Sequence, residues 1–283
     1  MKHNPYRTEK IAFTLLFLAT LLVVLPVVLI LFIIVQQGWR AISWEFLSAM
    51  PVNGMREGGI FPAIVGTLCL VAGTLFFALP LGVLSAVYLT EYAKDNLLTR
   101  LVKLAIINLA GVPSVVYGLF GLGIFVMFLK FGASILAGSL TLAIMVLPII
   151  ITTAKEALES VPRAFREVSL SLGASKWQTI RHSVLPHALP GILTGIILGI
   201  SRAAGETAPI LFTVAAFYLP QLPHSIFDQV MALPYHLYVL STQVPHVSGT
   251  VRYGTALVLL MMVLSMNVLT IVVRARFRKR KKW

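Results

Sequence analysis

Six long apolar stretches without a Lys, Arg, Asp or Glu residue alternate along the chain with shorter polar segments. A helix that crosses about 30 Å of hydrocarbon needs roughly 20 consecutive apolar residues. Each stretch reaches that length, so the pattern predicts an all-α polytopic membrane protein with six transmembrane helices. The stretches cover residues 11–35, 60–90, 104–129, 131–154, 182–201 and 253–273, and the fifth continues past Arg202 and Glu206 to residue 217.

The composition agrees with this interpretation. Of the 283 residues, 58% are hydrophobic and 12% are charged, whereas soluble domains have about 25% charged residues. A soluble globular enzyme is therefore excluded. The first stretch is too long for a signal peptide and lacks a small-residue cleavage site, so we expect it to remain as an anchor. The predicted organisation is an N-terminal segment 1–10, a six-span domain 11–273 and a basic tail 274–283.

The distribution of basic residues predicts the orientation. If both termini lie on one side of the membrane, 18 Lys and Arg residues lie on that side and 4 on the other. Because cytoplasmic loops carry the excess of Lys and Arg, both termini are predicted to be cytoplasmic. The basic tail 274–283 directly follows an apolar span, which favours an anchor attracted to anionic lipid over a nucleic-acid site.

The loop 155–190 on the cytoplasmic side has the pattern of two short amphipathic helices separated at Gly173, with the second ending before Pro186. Such short helices are marginal in water, so they must pack against their own bundle or a partner. The loop 218–250 on the other side is expected to form a helical or re-entrant cap. Its histidines lack metal-site spacing, and we expect no metal or cofactor site in this chain.

Arg202 and Glu206 are the ionised residues deep within a predicted span. An Arg at the centre of a membrane helix costs about 2.5–3.5 kcal/mol, which argues against an incidental role. With a helix start near residue 191, Arg202 would lie close to the membrane midplane and share a helix face with Glu206. The pair is interpreted as an anion pathway, because guanidinium suits oxyanions, or as a structural staple. Pro209, expected in the same helix, is predicted to loosen it as a gate.

Two motifs carry a resemblance to a known family. Glu167, Gly173, Leu185 and Pro186 match the cytoplasmic EAA loop of bacterial ABC-importer permeases, although Ser183 stands where Ile is usual and Val-Ser follows Glu167 in place of Ala-Ala. The strings GISRAAGETAPI (residues 199–210) and NLAGVPSVVYGLFGLG (residues 108–123) resemble the phosphate ABC-transporter permeases, the PstA subunit type in particular. The resemblance covers nearly the whole chain.

The resemblance implies a type I ABC-importer permease fold in the bacterial inner membrane, a transport subunit with coupling helices that fit a groove of an ATPase. It implies a homologous permease, PstC, two copies of the ATPase PstB, which bind ATP and Mg, and a periplasmic phosphate-binding protein, PstS. This chain has no Gly-rich phosphate loop of its own. The implied substrate-pathway residues are Arg202 and Glu206, with Ser114 and Tyr117 as further candidates or as packing residues.

Other interpretations remain open at this point. The first alternative is the sister permease PstC or a permease for another oxyanion such as molybdate or sulfate, although the GETAPI string favours the PstA type. An ion-coupled secondary transporter would use Arg202 and Glu206 as a charge relay and would have an inverted internal repeat, which the sequence does not display. A purely structural or signalling membrane subunit is the remaining alternative.

Overall fold

The structure, a computed structural model, describes residues 5–279. The beginning of the predicted N-terminal segment (1–4) and the end of the predicted basic tail (280–283) lie outside the described residues. The chain forms a helical bundle. In chain order the helices are α1 (Pro5–Gly38), α2 (Trp44–Ser48), α3 (Phe61–Val87), α4 (Leu97–Ala110), α5 (Ser114–Gly121), α6 (Ile135–Glu159), α7 (Arg163–Ser171), α8 (Lys176–Thr179), α9 (Leu185–Gly205), α10 (Ala208–Thr213), α11 (Leu233–Thr242) and α12 (Gly249–Lys279).

Short irregular elements connect or extend these helices. A small antiparallel hairpin, β1 with β2, lies between α2 and α3. The strands are β1 (Pro51–Val52) and β2 (Glu57–Gly58), the 3₁₀ turns are Trp39–Ala41 and Asn53–Met55, and the π-helical turns are Tyr88–Tyr92 after α3, Leu122–Phe128 after α5 and Ile180–Val184 between α8 and α9.

The helices reproduce most of the predicted spans. Within residues 5–279, five helices are long and apolar enough to cross a membrane, and α4 with α5 forms a sixth candidate if this bent pair is one crossing. The helix that contains α1 is not buried by the rest of the chain, which leaves its apolar side chains to lipid or to a partner. The six-span prediction is therefore confirmed in number only if the bent pair is counted.

The third predicted span, 104–129, is not one helix. α4 ends at Ala110 and α5 begins at Ser114, and the two axes are bent by 105°. Pro113 explains the break, because it donates no backbone hydrogen bond and disfavours the helical conformation at Val112. The predicted span is thus a pair of helices bent at Pro113.

The fifth predicted span is also interrupted. α9 ends at Gly205, and Glu206 has extended backbone angles (φ −76°, ψ 132°) before α10 begins at Ala208. The ring of Pro209 would clash with the carbonyl of Gly205 in a continuous helix, which accounts for the end of α9. Glu206 and Pro209 are therefore not in the helix that carries Arg202, contrary to the sequence-based expectation.

Two hydrophobic cores hold the bundle together. The larger core joins α3, α6, α9 and α10 with α11. A separate cluster, named here the loop-side core, lies at the end of the bundle that carries α7 and α8. Its members come from α3, α6 and the segment that enters α9, and include Ala86, Val87, Ala154, Leu158, Ile180, Val184 and Ile192.

The loop between α6 and α9 contains the two predicted short helices. α7 and α8 flank Gly173, whose φ of +85° lies in the left-handed region that favours glycine. A capping box starts α8. The backbone N–H of Gln178 donates to Ser175 Oγ, and the backbone N–H of Ser175 donates to Gln178 Oε1. The expectation that the second helix stops before Pro186 was wrong. A π-helical turn leads from α8 into α9, and Pro186 lies in the first turn, where its missing N–H costs little.

The segment 218–250 contains a buried helix, which agrees with the expected helical cap. α11 packs against α3 and α12, and the Leu233 amide donates to Thr67 Oγ1 of α3 at 2.8 Å. His236 of α11 is 2% exposed, and within the described residues its Nδ1 has no hydrogen-bond partner. Burial in this apolar setting lowers the pKa of His236 to about 4.

Candidate functional site

Arg202 lies in the last turn of α9, three residues before the helix ends. The helix C-terminus carries partial negative charge, which favours a cation at this position. Arg202 Nε lies 3.4 Å from Glu206 Oε1, and their side chains are 30% and 19% exposed. Between residues 5 and 279, Glu206 is the one charged or hydrogen-bonding partner of Arg202. Most of the guanidinium donors are therefore unused.

The interruption of the helix determines how Glu206 is presented. Its backbone is extended, so its carboxylate lies beyond the end of α9 rather than one helical turn above Arg202. The 3.4 Å separation is longer than the 2.7–2.9 Å of a strong charge-assisted hydrogen bond. An anion can compete with a contact of this length, because little hydrogen-bond energy is lost when the carboxylate is displaced.

α5 lies directly against the start of α10. A Cβ atom built on Gly118 would lie 3.0 Å from the Cα of Pro209, so only glycine permits this approach. The contact brings Gly118 of α5 to the start of α10, just after the break between α9 and α10. Tyr117 precedes Gly118, and Ser114 begins α5 one turn earlier.

Tyr117 and Ser114 differ in their hydrogen bonding. Tyr117 is 5% exposed, and its hydroxyl donates to the Leu109 carbonyl at 2.7 Å. This bond holds α5 to the end of α4 across the bend. Tyr117 also lies within electrostatic range of Arg202. Ser114 is half-buried, and its side chain makes no hydrogen bond to the described residues, so its hydroxyl is available to a ligand.

Sequence reasoning missed the polar contacts that fix α9 against α12. The Ser201 hydroxyl donates to Asn267 Oδ1 at 3.0 Å, and Arg274 Nη1 donates to Thr194 Oγ1 at 3.1 Å. The two contacts are seven residues apart on each helix, so they lie on one face of each. Ser201 precedes Arg202, so these two hydrogen bonds fix the position of this part of α9 relative to α12. The one signal in the sequence was Asn267, a single polar amide within the last apolar stretch.

The residues that match the EAA motif do not form one patch. Glu167 and Gly173 are exposed, whereas Leu185 is half-buried and packs against the loop-side core. Pro186 lies beside Leu185 in the first turn of α9. Glu167 lines a polar cavity of about 570 Å³ together with Thr90, Glu91, Glu159, Val161, Arg163 and Arg166.

α7 and the residue that follows it expose apolar side chains. Val168 is 60% exposed and Leu172 is 84% exposed, and both line a groove together with Phe165, which also packs against the loop-side core. Exposed leucine and valine on a helix outside the spans indicate a protein contact surface. The loop thus packs on its own bundle, one of the two options that the sequence left open, and docking on a partner stays a prediction.

Comparisons with known proteins identify the family. The model of the family described as "Binding-protein-dependent transport system inner membrane component" matches residues 78–283, more than half of the chain. A relative from Mycobacterium tuberculosis, "Phosphate transport system permease protein PstA 1", is 33% identical over 279 residues, covering 97% of this chain and 90% of the relative. A Methanocaldococcus jannaschii protein, "Probable phosphate transport system permease protein PstA", is 34% identical, covering 95% of each.

Solved structures support the fold. A chain of a bacterial ABC transporter involved in alginate import matches with a TM-score of 0.70 at 14% identity, covering 97% of this chain and 99% of that chain. A chain of the inward-facing MetNI methionine ABC transporter matches with a TM-score of 0.60 at 16% identity, covering 77% and 97%. At such identities the likeness concerns the fold alone, and it confirms the type I ABC-importer permease fold.

Proposed function

Because the chain belongs to the family of binding-protein-dependent transport system inner membrane components, we propose that it is the permease subunit through which an ABC importer moves inorganic phosphate across the membrane. The chain is a multi-pass transport subunit. Phosphate as the substrate is supported by the relatives named PstA. The structural observation that carries the proposal is Arg202, a guanidinium with unused donors beside an interrupted span.

Arg202 binds phosphate during transit. Its planar guanidinium presents paired donors that match two phosphate oxygens. In the resting site Glu206 compensates the positive charge through a single 3.4 Å contact. Arriving phosphate displaces the carboxylate and gains bidentate hydrogen bonds. When phosphate leaves, Glu206 returns and the site is reset.

The neighbouring residues complete the pathway. The free hydroxyl of Ser114 donates to a phosphate oxygen, and Tyr117 lines the same region while its hydroxyl holds the α4–α5 bend. Pro209 keeps α9 and α10 separate, so the two segments can change angle at Glu206 and Thr207. Pro209 is therefore proposed to act in gating by breaking the span, not by bending one continuous helix.

The loop 155–190 couples the permease to ATP hydrolysis in another subunit. The exposed apolar face of α7, centred on Val168 and Leu172, fits a groove of an ATPase. Glu167 and Gly173 belong to the same exposed surface, whereas Leu185 and Pro186 anchor the loop to α9. ATP and Mg are bound by that ATPase, and this chain needs no cofactor of its own.

The proposed assembly contains the homologous permease PstC, two copies of the ATPase PstB and the periplasmic phosphate-binding protein PstS. The chain lies in the bacterial inner membrane with both termini in the cytoplasm, since 18 of its 23 Lys and Arg residues then lie on the cytoplasmic side. The basic tail 274–283 contacts anionic lipid, and no nucleic acid is involved.

Radiolabelled phosphate uptake in cells without other phosphate importers tests the role of Arg202. Arg202→Gln should abolish uptake. Arg202→Lys should lower uptake about tenfold or more, because loss of the bidentate hydrogen bonds weakens phosphate binding by about 1.4 kcal/mol or more. The double variant Arg202→Gln with Glu206→Gln removes both charges, so the complex should assemble normally and still not transport.

The matched control is Arg252→Gln at the start of α12, an exposed Arg that donates to the Val247 carbonyl at 3.1 Å. This variant should keep full uptake. Recovery of uptake in the assembled double variant would show that the pair is only a structural staple and would end the proposal for Arg202.

A further inference from the structure

The end of α3 contacts the coupling loop through an ion pair. Glu91, in the π-helical turn that follows α3, accepts two hydrogen bonds from Arg166 of α7, at 2.7 Å from Nη2 and 3.1 Å from Nε. The side chains of Arg166 and Glu91 are 19% and 10% exposed. An ion pair that is shielded from water is much less screened than one on the surface.

The same arginine also binds the end of α6. Arg166 Nη2 donates to the Leu158 carbonyl at 2.9 Å, and Nη1 donates to the Val161 carbonyl at 2.8 Å. The Leu158 carbonyl also accepts from the Val161 amide at 3.3 Å, so Arg166 adds a second donor at the end of α6. Through one guanidinium, α7 is attached to both α3 and the end of α6.

α8, the second short helix of the loop, contacts Tyr92, the residue after Glu91 in the same π-helical turn. The Lys176 ammonium, at the start of α8, lies 4.9 Å from the centre of the Tyr92 ring, a cation–π distance. The Thr179 hydroxyl donates to Ser169 Oγ at 3.0 Å and joins α8 to α7. Two adjacent residues thus contact the two short helices of the loop, Glu91 binding α7 and Tyr92 binding α8. α7 and α8 are also hydrogen-bonded to each other.

The chain connectivity gives these contacts their importance. The loop is covalently continuous with α6 and α9, but α3 precedes it by about 70 residues in the sequence. A displacement of α7 and α8 therefore reaches α6 and α9 through the backbone. It reaches α3 through Glu91, Tyr92 and the Ala86 and Val87 side chains in the loop-side core. Apolar side chains can slide past one another, whereas the hydrogen-bonded ion pair between Arg166 and Glu91 fixes the position of α7 relative to the end of α3.

We propose that Glu91 and Tyr92 are positioning residues that transmit movement of the coupling loop to α3, so that α3, α6 and α9 move together when ATP is hydrolysed. The inference rests on the proposed docking of α7 on an ATPase. It extends that role from the loop, which touches the ATPase, to the end of α3, which does not belong to the loop and carries no part of the EAA motif.

The test uses the full transporter in proteoliposomes and measures phosphate transported per ATP hydrolysed. Glu91→Gln keeps the size of the side chain and removes the charge that holds Arg166. Loss of a hydrogen-bonded charge typically corresponds to about tenfold or more, so the transport-to-hydrolysis ratio should fall about tenfold. The ATPase should still co-purify and hydrolyse ATP. A merely structural defect would lower both activities and leave their ratio unchanged.

The chain provides a matched control four residues away. Asp95 forms a bidentate pair with Arg100, with both distances 3.0 Å, but the side chains are 73% and 67% exposed. Asp95→Asn removes the same kind of pair from the same segment and should leave the ratio unchanged. An unchanged ratio in Glu91→Gln, or loss of ATPase co-purification in that variant, would overturn the inference.

Tyr92 supplies a second test that does not depend on the folding of Glu91→Gln. Tyr92→Leu removes the ring beneath Lys176 and should lower the ratio, whereas Tyr92→Phe retains the ring and should rescue it. Equal ratios in these two variants would count against transmission through Tyr92. The docking premise is tested separately with Leu172→Asp, which should abolish ATPase co-purification. If Leu172→Asp retained the ATPase, the docking role would fail whatever the Glu91 result.

Discussion

Two arginine–glutamate pairs have different geometries. One joins the loop between α6 and α9 to the end of α3, and the other lies at the break between α9 and α10. Arg166 and Glu91 are joined at 2.7 Å, and Arg166 has two additional carbonyl acceptors. Arg202 and Glu206 are separated by 3.4 Å, without a further partner for Arg202 in the described part of the chain. The Arg166 guanidinium makes four hydrogen bonds, whereas most N–H groups of Arg202 have no acceptor among the described residues.

The difference shows how the same pair of residue types can serve as a mechanical link or as a binding site. A guanidinium that makes four hydrogen bonds, as Arg166 does, holds its neighbours in one arrangement. A guanidinium with a single long contact can exchange its partner for an oxyanion at little cost. The surrounding backbone decides between these states, since Glu206 lies on an interrupted helix and Glu91 on a closed helical turn.

Stability measurements give the largest expected contrast between the two pairs. Arg166→Ala leaves the Glu91 carboxylate shielded from water without its ion-pair partner and should lower the free energy of unfolding by about 3 kcal/mol. Arg202→Ala should cost about 1 kcal/mol or less, because the contact it removes is weak. Thermal unfolding of both purified variants in one detergent checks the order. Equal losses would contradict the distinction between link and binding site.

A buried histidine makes the stability of the folded chain depend on pH. Burial lowers the pKa of His236 to about 4, so the folded chain excludes a proton that the unfolded chain binds below pH 6.5. The stabilisation is complete above pH 6.5 and is lost as the pH falls towards 4, by about 3 kcal/mol. His236→Phe should flatten this part of the pH profile of thermal stability.

The matched control is His246→Asn, at an exposed position whose positive φ (61°) asparagine tolerates. It should leave the pH profile unchanged. A profile in His236→Phe as steep as in the parent chain would show that His236 is not the source of the acid sensitivity.

Tyr117→Phe probes the smallest of these effects, the bond that holds the α4–α5 bend beside Arg202. Loss of the 2.7 Å hydrogen bond to Leu109 should lower the free energy of unfolding by about 1 kcal/mol. The apparent KM for phosphate should change less than about twofold, since Arg202 is retained. Tyr238→Phe, at a 47% exposed ring, is the control. A raised KM with unchanged stability would assign the Tyr117 hydroxyl to phosphate instead of the bend.

Much of the fold could be predicted from the chain, and the failures have a common cause. The apolar stretches predicted the spans that became α1, α3, α6, α9 and α12. Proline ended the helices at Pro113 and Pro209, where hydropathy stays high through the break. Hydropathy measures whether a residue tolerates lipid and is insensitive to a missing backbone donor, so one apolar stretch conceals two helices.

The candidate site was predicted in part. Arg202 and Glu206 were detectable because charge is costly inside a membrane span. Asn267, Glu91 and Arg166 were not singled out, because an amide in a long apolar stretch and charges near loops are individually ordinary. Their roles depend on partners 66 to 75 residues away in the chain.

The sequence by itself determined the class of protein, the number of apolar stretches and the bias of basic residues, because these depend on composition and local order. The tertiary structure alone decided which arginine is satisfied and which has free donors. That distinction depends on distances between side chains on different segments, to about half an ångström, and no local pattern encodes it. It also decided that one end of α3 binds both short helices of the coupling loop, because packing brings together segments that the chain keeps far apart.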